Sequence, residues 1–301
     1  MKPMLATDWD EEKVSFPLWM EPKIDGVRAI NLQGNMTGRS LKSFKNVAIT
    51  EEFSNPYFKG FDGEMAAEDE RHPRLCNLTT SALNTIKGHP YVLWHVFDFV
   101  TADTILLPYR LRWKAMANRV EAMKAQRVPS AEKLRPVPYS IVTSLPQIEE
   151  MDAWYLEQGY EGSILRDPDA TYKFGRATVR EGSYLRIKRF IEKEAVVKRV
   201  VEGDSNQNEA TINALGQTER STHMANMVPN GMVGALECVD METRKDITVA
   251  AGCMDHATRR DYFQHQEKIV GQIIKYKTFP KGVKDKPRMP TFQSIRMKED
   301  L

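Results

Sequence analysis

The sequence predicts an α+β protein in which a region of mixed helices and strands is followed by a small β-barrel. The chain has 301 residues, more than the roughly 100–200 of an ordinary single domain, so two domains are expected. As far as Ile191, strand-like and helix-like segments alternate, with Gly and Asn punctuating them. From Glu192 onward short strand patterns dominate, interrupted by one helical pattern. The expected domains are therefore 1–191 and 192–301.

In the first region, residues 27–33 read as a strand running into a Gly34-Asn35 turn. Residues 91–100 are almost unbroken in β-branched and aromatic side chains, the pattern of a buried strand. Phe97 and Phe99, two apart on that strand, are expected to share a face. Residues 108–126 have helical spacing, with Leu111, Ala115, Met116, Val120 and Met123 as the apolar stripe. A second helix follows Pro146, with Ile148, Met151 and Tyr155 apolar and Gly159 as its stop. Strands are expected at 161–166 and 184–190, and Trp94, Trp113 and Trp154 read as core residues. In the second region, 195–201, 234–239, 247–250, 269–277 and 292–297 are strands and 257–268 a helix, which fits a barrel of about five strands. The polar stretch 203–231 reads as a long loop or hairpin inserted in that barrel.

Composition narrows the function. With 41% apolar and 28% charged residues the chain can bury a sizeable core. No apolar run approaches the ~20 residues of a membrane span. Asp8, Asp10, Glu11, Glu12 and Lys13 fall where a secretion signal needs an apolar stretch. A cytoplasmic protein without a membrane partner is expected. Cys76, Cys238 and Cys253 are odd in number and far apart, so reduced thiols are expected rather than disulfides or a Cys-rich zinc site. None of the six histidines has metal-ligand spacing with a second His or Cys. The net charge is only +2, so nucleic-acid binding needs local clustering. Lys275, Lys277, Lys281, Lys284, Lys286, Arg288, Arg296 and Lys298 stand against the single acid Asp285, a local excess of +7 suited to phosphate backbone.

The chemistry is concentrated in short motifs. Glu21-Pro22-Lys23-Ile24-Asp25-Gly26-Val27-Arg28 contains K-x-D-G-x-R, a pattern expected by chance in a few chains per thousand, roughly, from ordinary residue frequencies. Downstream follow Asp62-Gly63-Glu64, Phe97-Asp98, Glu161-Gly162-Ser163, Arg186-Ile187-Lys188 and Arg288-Met289-Pro290-Thr291-Phe292. A lysine attacks only after losing its proton, which neighbouring cations favour. Arg186 and Lys188 are the expected neighbours of Lys23, since on a strand they share one face while Leu185 and Ile187 enter the core. Phosphate charge calls for Mg²⁺, held by a few carboxylates with water and substrate oxygens. Glu161 and Glu64, each beside a glycine at an expected strand, are the candidates.

In this order the motifs resemble the covalent nucleotidyltransferase superfamily, most nearly the ATP-dependent DNA ligases of the compact two-domain bacteriophage type. The resemblance covers essentially the whole chain. It implies an ATP-grasp-like nucleotidyltransferase (adenylation) domain of antiparallel sheets with helices, followed by an OB-fold β-barrel that binds DNA. It also implies sealing of nicks in double-stranded DNA by three phosphoryl transfers, through lysyl-AMP and DNA-adenylate, with ATP as AMP donor and Mg²⁺. Such enzymes serve DNA repair, replication and recombination, and a monomer in the cytoplasm, that of the host if viral, is the expectation.

The resemblance assigns roles residue by residue. Lys23 becomes the nucleophile, with Arg186 and Lys188 at the α-phosphate; the family usually has lysine where Arg186 stands, and a guanidinium cannot give up its proton. Glu161 goes chiefly to metal and Glu64 to the ribose hydroxyls or metal, while Asp25 assists Lys23 or the metal. Phe97 stacks on adenine, Glu21 reads the adenine amino group, and Arg28 and Arg39 contact the nucleotide or the nick phosphate. Arg288 holds pyrophosphate in the first transfer. An RNA ligase would usually lack the barrel, and an mRNA-capping guanylyltransferase would share Lys23 and the carboxylates. A NAD-dependent ligase needs a further N-terminal domain and a four-cysteine zinc module. Against a non-catalytic nucleic-acid-binding module with a ligase fold stand the intact Lys23, Glu161 and Lys188.

Overall fold

A computed structural model describes residues 2–32, 34–280 and 286–296. Gln33, Lys281, Lys284, Asp285, Met297 and Lys298 lie outside the described residues. The chain divides into two compact units, Met1–Lys188 and Arg189–Leu301. Ile191, placed by the sequence at the end of the first domain, opens the first strand of the second unit.

The first unit runs β1 (Met4–Leu5), β2 (Thr7–Asp8), β3 (Leu18–Pro22), β4 (Val27–Ile30), α1 (Val47–Phe53), β5 (Phe61–Ala66), α2 (Leu75–Asn84), β6 (Leu93–Phe99), α3 (Tyr109–Ala125), β7 (Leu134–Pro136), β8 (Ser140–Val142), α4 (Leu145–Glu157), β9 (Gly162–Arg166), β10 (Gly175–Arg176) and β11 (Tyr184–Lys188). A five-stranded sheet has the order β2-β11-β9-β3-β8, and a four-stranded sheet the order β4-β5-β6-β7. The central pairings are antiparallel, but β2 with β11, β6 with β7, and β1 with β10 are parallel. Those partners are joined by long stretches of chain, so no hairpin fixes their direction.

Aromatic and aliphatic side chains fill the space behind each sheet. Phe53, Phe58, Phe61, Trp94 and Val96 pack with Met116, Val120 and Met123 of α3. Leu18, Met20, Leu165, Leu185 and Ile187 of the larger sheet pack with Ile148 and Tyr155 of α4. After α4, the Gly159 N–H donates to the Leu156 carbonyl and the Tyr160 N–H to that of Tyr155, both at 2.9 Å, closing the helix.

Three readings of the sequence are corrected here. The buried stripe of α3 is Tyr109, Arg112, Met116, Val120 and Met123, while Leu111 is exposed. Arg112 sets that phase: its guanidinium grips Asp98 at 2.8 and 3.0 Å and reaches the carbonyls of Leu107 and Ala170. Hydropathy counts such an arginine against the core, so the stripe is right at Met116, Val120 and Met123 but misses Tyr109 and Arg112 in the first turn. Secondly, Phe97 and Phe99 do not share a face. Asp62 pairs with Asp98 but Gly63 with Val96, so Phe97 is an extra residue, a bulge that inverts the alternation. Phe99 therefore packs with the Trp94 core, whereas Phe97 clusters with Ile24, Ala66, Leu75 and Val137. Thirdly, Trp154 is half exposed on α4, unlike Trp94.

The second unit comprises β12 (Ile191–Asn206), β13 (Ala210–Ile212), β14 (Thr218–Arg220), β15 (Met227–Asp240), β16 (Asp246–Ala250), α5 (His256–Gln264), β17 (Ile273–Phe279) and β18 (Arg288–Ile295). Five of these strands close a barrel in the order β12-β15-β16-β18-β17 around Val197, Leu236, Val249, Ile274, Tyr276 and Phe292. The polar stretch is a hairpin: β12 and β15 stay paired out to Asn206 and Met227, with β13 and β14 beyond. Part of the basic cluster is neutralised within the unit, since Lys275 pairs with Glu192 and Arg296 with Glu194.

Arg112 and Asp98 are both buried, so removing one charge strands the other. Arg112→Ala is expected to cost about 3–5 kcal/mol, read as a lower urea midpoint of the full chain; a loss under about 1 kcal/mol would mean that the pair does not hold α3 to β6.

Candidate active site

Three strands bring the chemistry together. Lys23 leaves β3 opposite the start of β9: its N–H donates to the Gly162 carbonyl at 2.9 Å, and the Glu161 N–H donates back to the Lys23 carbonyl at 3.0 Å. On the other side of β9, Gly162 is the register partner of Lys188. Gly162 has a φ of +149°, and a Cβ there would lie 2.5 Å from the Ile187 carbonyl oxygen, so only glycine allows β9 and β11 this close. Gly26 plays the same part nearer Lys23, where a Cβ would lie 2.1 Å from the Met65 carbonyl oxygen and 2.9 Å from Glu64 Cγ.

The Glu161 carboxylate is the centre. Its Oε2 accepts a hydrogen bond from Lys23 Nζ, and its Oε1 lies 2.9 Å from Lys188 Nζ. Burial pushes the Glu161 carboxyl up, but Lys23 and Lys188 outweigh that and hold it down at about 2. Burial likewise disfavours the Lys23 ammonium, yet Glu161, then Glu64 and Asp25, hold its pKa above the ordinary lysine value. This corrects the expectation that cations around Lys23 make it shed its proton: the nearest charges are carboxylates, and Lys188 faces Glu161. Arg186, which also reaches the cavity, is paired with Asp8, its Nε 2.6 Å from Asp8 Oδ1.

A cavity of about 180 Å³ opens beside Lys23, lined among others by Glu21, Arg28, Arg39, Glu64, Phe97, Ile164 and Arg186. Burial raises Glu64 to about 7 despite Lys23 and Arg28. Burial also raises Glu21 to about 7, against Arg166 and a hydrogen bond with the Tyr109 hydroxyl. Arg28 is fixed by a fork on Asp62, at 2.6 and 2.7 Å, and its guanidinium lies 4.6 Å from the Phe97 ring centre. Arg39 is exposed at the rim. Arg288 is the first residue of β18 in the second unit, where its carbonyl accepts from Thr278 Oγ1 at 2.7 Å.

The sequence reading missed the residues behind the cavity. Arg166 is buried with its guanidinium 3.7 Å from the Tyr184 ring centre and 4.2 Å from that of Tyr109. Asp62 and Asp98 stood inside quoted motifs, D-G-E and F-D, and Arg166 two residues beyond Ile164, so a signal for those existed; Tyr109 merely begins a helix.

A lysine sharing a buried carboxylate with a second lysine, further carboxylates and an aromatic side chain at one cavity are the parts that a covalent nucleotidyltransferase needs. An ATP dependent DNA ligase domain matches residues 3–188, and a DNA ligase OB-like domain matches residues 226–296. The chain belongs to the ATP-dependent DNA ligase family. Among solved structures, the Chlorella virus DNA ligase-adenylate is 26% identical, with 98% of this chain and 99% of that chain covered and a TM-score of 0.54. A structure of Lig E DNA ligases is 20% identical at 98% and 99% coverage with a TM-score of 0.72. The bacteriophage T7 ligase in complex with ATP is 14% identical at 98% coverage of each chain, with a TM-score of 0.50. The latter two likenesses speak to the fold. No curated protein matches the chain.

The activity is accordingly that of an ATP-dependent DNA ligase, which seals nicks in DNA through lysyl-AMP and DNA-adenylate, with ATP as AMP donor and Mg²⁺. The donor set fits that ion. Glu161 and Glu64 offer carboxylate oxygens, and among the described residues no group of three or more His, Cys, Asp or Glu side chains forms a cage. Mg²⁺ is ordinarily held in this way, by one or two carboxylates completed by water and substrate phosphate. No helix among the described residues is long and apolar enough to cross a membrane.

Gly26→Ala is expected to force β5 away from the Lys23 loop and to lower self-adenylation by about 100-fold or more, since a shift of about 1 Å at a reacting centre costs that much. Quantifying the covalent AMP formed per minute checks this, and a rate within about threefold of the parent would show that the close approach is dispensable.

Proposed function

We propose that Lys23 carries the AMP, and the observation supporting this most strongly is its sharing of Glu161 with Lys188. While Glu161 bonds both, Lys23 is an ammonium without a lone pair to attack phosphorus. Glu161, with Glu64 beside it, would hold the metal, whose chemistry is to neutralise charge on the phosphates. With Glu161 no longer bonded to Lys23, the cationic Lys188 favours the neutral amine and meets the α-phosphate. Arg186 contributes positive charge without proton exchange, and Asp25 keeps Lys23 charged until then. The base lies against Phe97 with its amino group on Glu21. Arg28 acts by holding Phe97 from its place on Asp62, and Arg39 meets phosphate from the rim.

We further infer that the first unit, Met1–Lys188, acts as the adenylation domain and the second, Arg189–Leu301, as the DNA-binding barrel, in a cytoplasmic monomer sealing nicked duplex DNA. Basic residues of the barrel other than Lys275 and Arg296 contact the phosphate backbone without reading sequence. Arg288, by its place in R-x-P-x-F, serves the first transfer, from which pyrophosphate leaves.

One assay tests nucleophile and arginine together. Incubated with ATP and Mg²⁺, the parent chain gains one AMP in its mass spectrum and Lys23→Ala gains none; an adduct on another residue would remove Lys23 from its role. Arg288→Ala is expected to lose self-adenylation while still sealing a nick already carrying 5′-adenylate, and equal losses in both would make it a DNA contact instead.

A further inference from the structure

The Tyr109 hydroxyl lies between two oxygens, Glu21 Oε1 and the Phe97 carbonyl, the latter at 2.8 Å. The Phe97 carbonyl is available because Phe97 is the bulged residue of β6, without a partner in β5. A tyrosine hydroxyl has one proton to give, and a carbonyl has none. Both contacts are hydrogen bonds at once only when Glu21 carries the second proton, on Oε1. Oε1–H then donates to Tyr109, and Tyr109 donates to the Phe97 carbonyl. When Glu21 is ionised, Tyr109 donates to Oε1 instead. In either case Oε1 is committed, and Glu21, which lines the cavity, has only Oε2 left for a ligand.

We propose that Tyr109 determines the base selectivity of the pocket: it confines the Glu21 proton to Oε1, so that Oε2 is an acceptor whether the carboxyl is charged or neutral. This deepens the reading that the purine meets Glu21 and rests on it. A 6-amino purine donates to such an oxygen, whereas a 6-oxo purine presents a second acceptor and is rejected. Without the tyrosine hydroxyl the proton of neutral Glu21 is free to sit on Oε2, where it donates to a 6-oxo group. The surroundings place that change in the working range, because Glu21, pushed by burial to about 7, is a mixture of both forms near neutral pH. The groups facing it are Arg166 on β9, which favours the charge, Asp98 on β6, which opposes it, Tyr109 on α3, and Tyr155 on α4, whose hydroxyl donates to the Met20 carbonyl.

The test is competitive self-nucleotidylation with equal ATP and GTP between pH 6 and 8, with lysyl-AMP and lysyl-GMP counted by mass. The parent chain is expected to keep its AMP:GMP ratio within about twofold over that range. In Tyr109→Phe, which retains the ring, the ratio is expected to fall from pH 8 to pH 6 well beyond the roughly twofold of the parent, as neutral Glu21 gains on the ionised form once the tyrosine hydrogen bond that favours the charge is gone. Glu21→Gln is a second probe, since its amide donates to Tyr109 and leaves its carbonyl to the base; it should retain the parent's preference, and lose it when combined with Tyr109→Phe. A pH-independent ratio in Tyr109→Phe, or a Glu21→Gln preference indifferent to Tyr109, overturns the proposal. Glu21→Ala distinguishes the underlying reading: if it leaves the AMP:GMP ratio of the parent intact, the base does not meet Glu21 at all.

Discussion

A buried carboxylate shared by two lysines organises the active site. A lone Glu161 charge in this position would be costly to keep from water, and Lys23 and Lys188 together offset that cost. Each of the three residues comes from a different place in the larger sheet: the end of β3, the start of β9 and the end of β11. The register of that sheet and the glycine at 162 therefore serve one end, holding two ammonium groups on a single carboxylate. The arrangement also disfavours the neutral amine, because the interaction that positions Lys23 is the one that holds its proton on.

Three glutamates around the cavity show how environment sets the role of one residue type. Glu161, between two ammoniums, stays ionised down to about 2. Glu64 and Glu21 are buried with weaker compensation and rise to about 7. A permanently charged carboxylate suits a metal or an ammonium, and one near neutrality suits a base edge, where hydrogen-bond polarity matters more than charge. Behind Glu21 the aromatic and cationic packing is dense: Arg166 lies against Tyr109 and Tyr184, Arg112 grips Asp98, and Arg28 grips Asp62 while lying on Phe97. These arginines fix the walls of the slot, and the two carboxylates they grip, Asp62 and Asp98, belong to the motifs that first marked the site.

Much of this was legible in the amino-acid order, because covalent chemistry on a nucleotide restricts residue type and spacing. Lys23, Glu64, Glu161 and Lys188 stand out in short motifs, and strand alternation correctly sends Leu185 and Ile187 inward and Lys188 to the site. The bulge at Phe97 was invisible, since it arises from how β5 pairs with β6, a match between segments some thirty residues apart. The first turn of α3 was not legible because Arg112 is buried by virtue of a partner, Asp98, on another element. The protonation of Lys23 was misjudged for a similar reason: Arg186 and Lys188 are close in sequence to one another, but Asp8 and Glu161 draw their charge. Ion pairs across the fold leave no periodic trace in the chain.

The central claim is that Glu161 keeps Lys23 protonated until the nucleotide site is engaged. NMR titration of ¹³C-lysine-labelled protein without nucleotide, with the Lys23 resonance assigned by its loss in Lys23→Arg, measures this directly. A Lys23 midpoint above the ordinary lysine value of 10.5 in the parent, falling in Glu161→Gln, is the predicted result. A midpoint below the ordinary value in the parent, or one indifferent to Glu161→Gln, would contradict it.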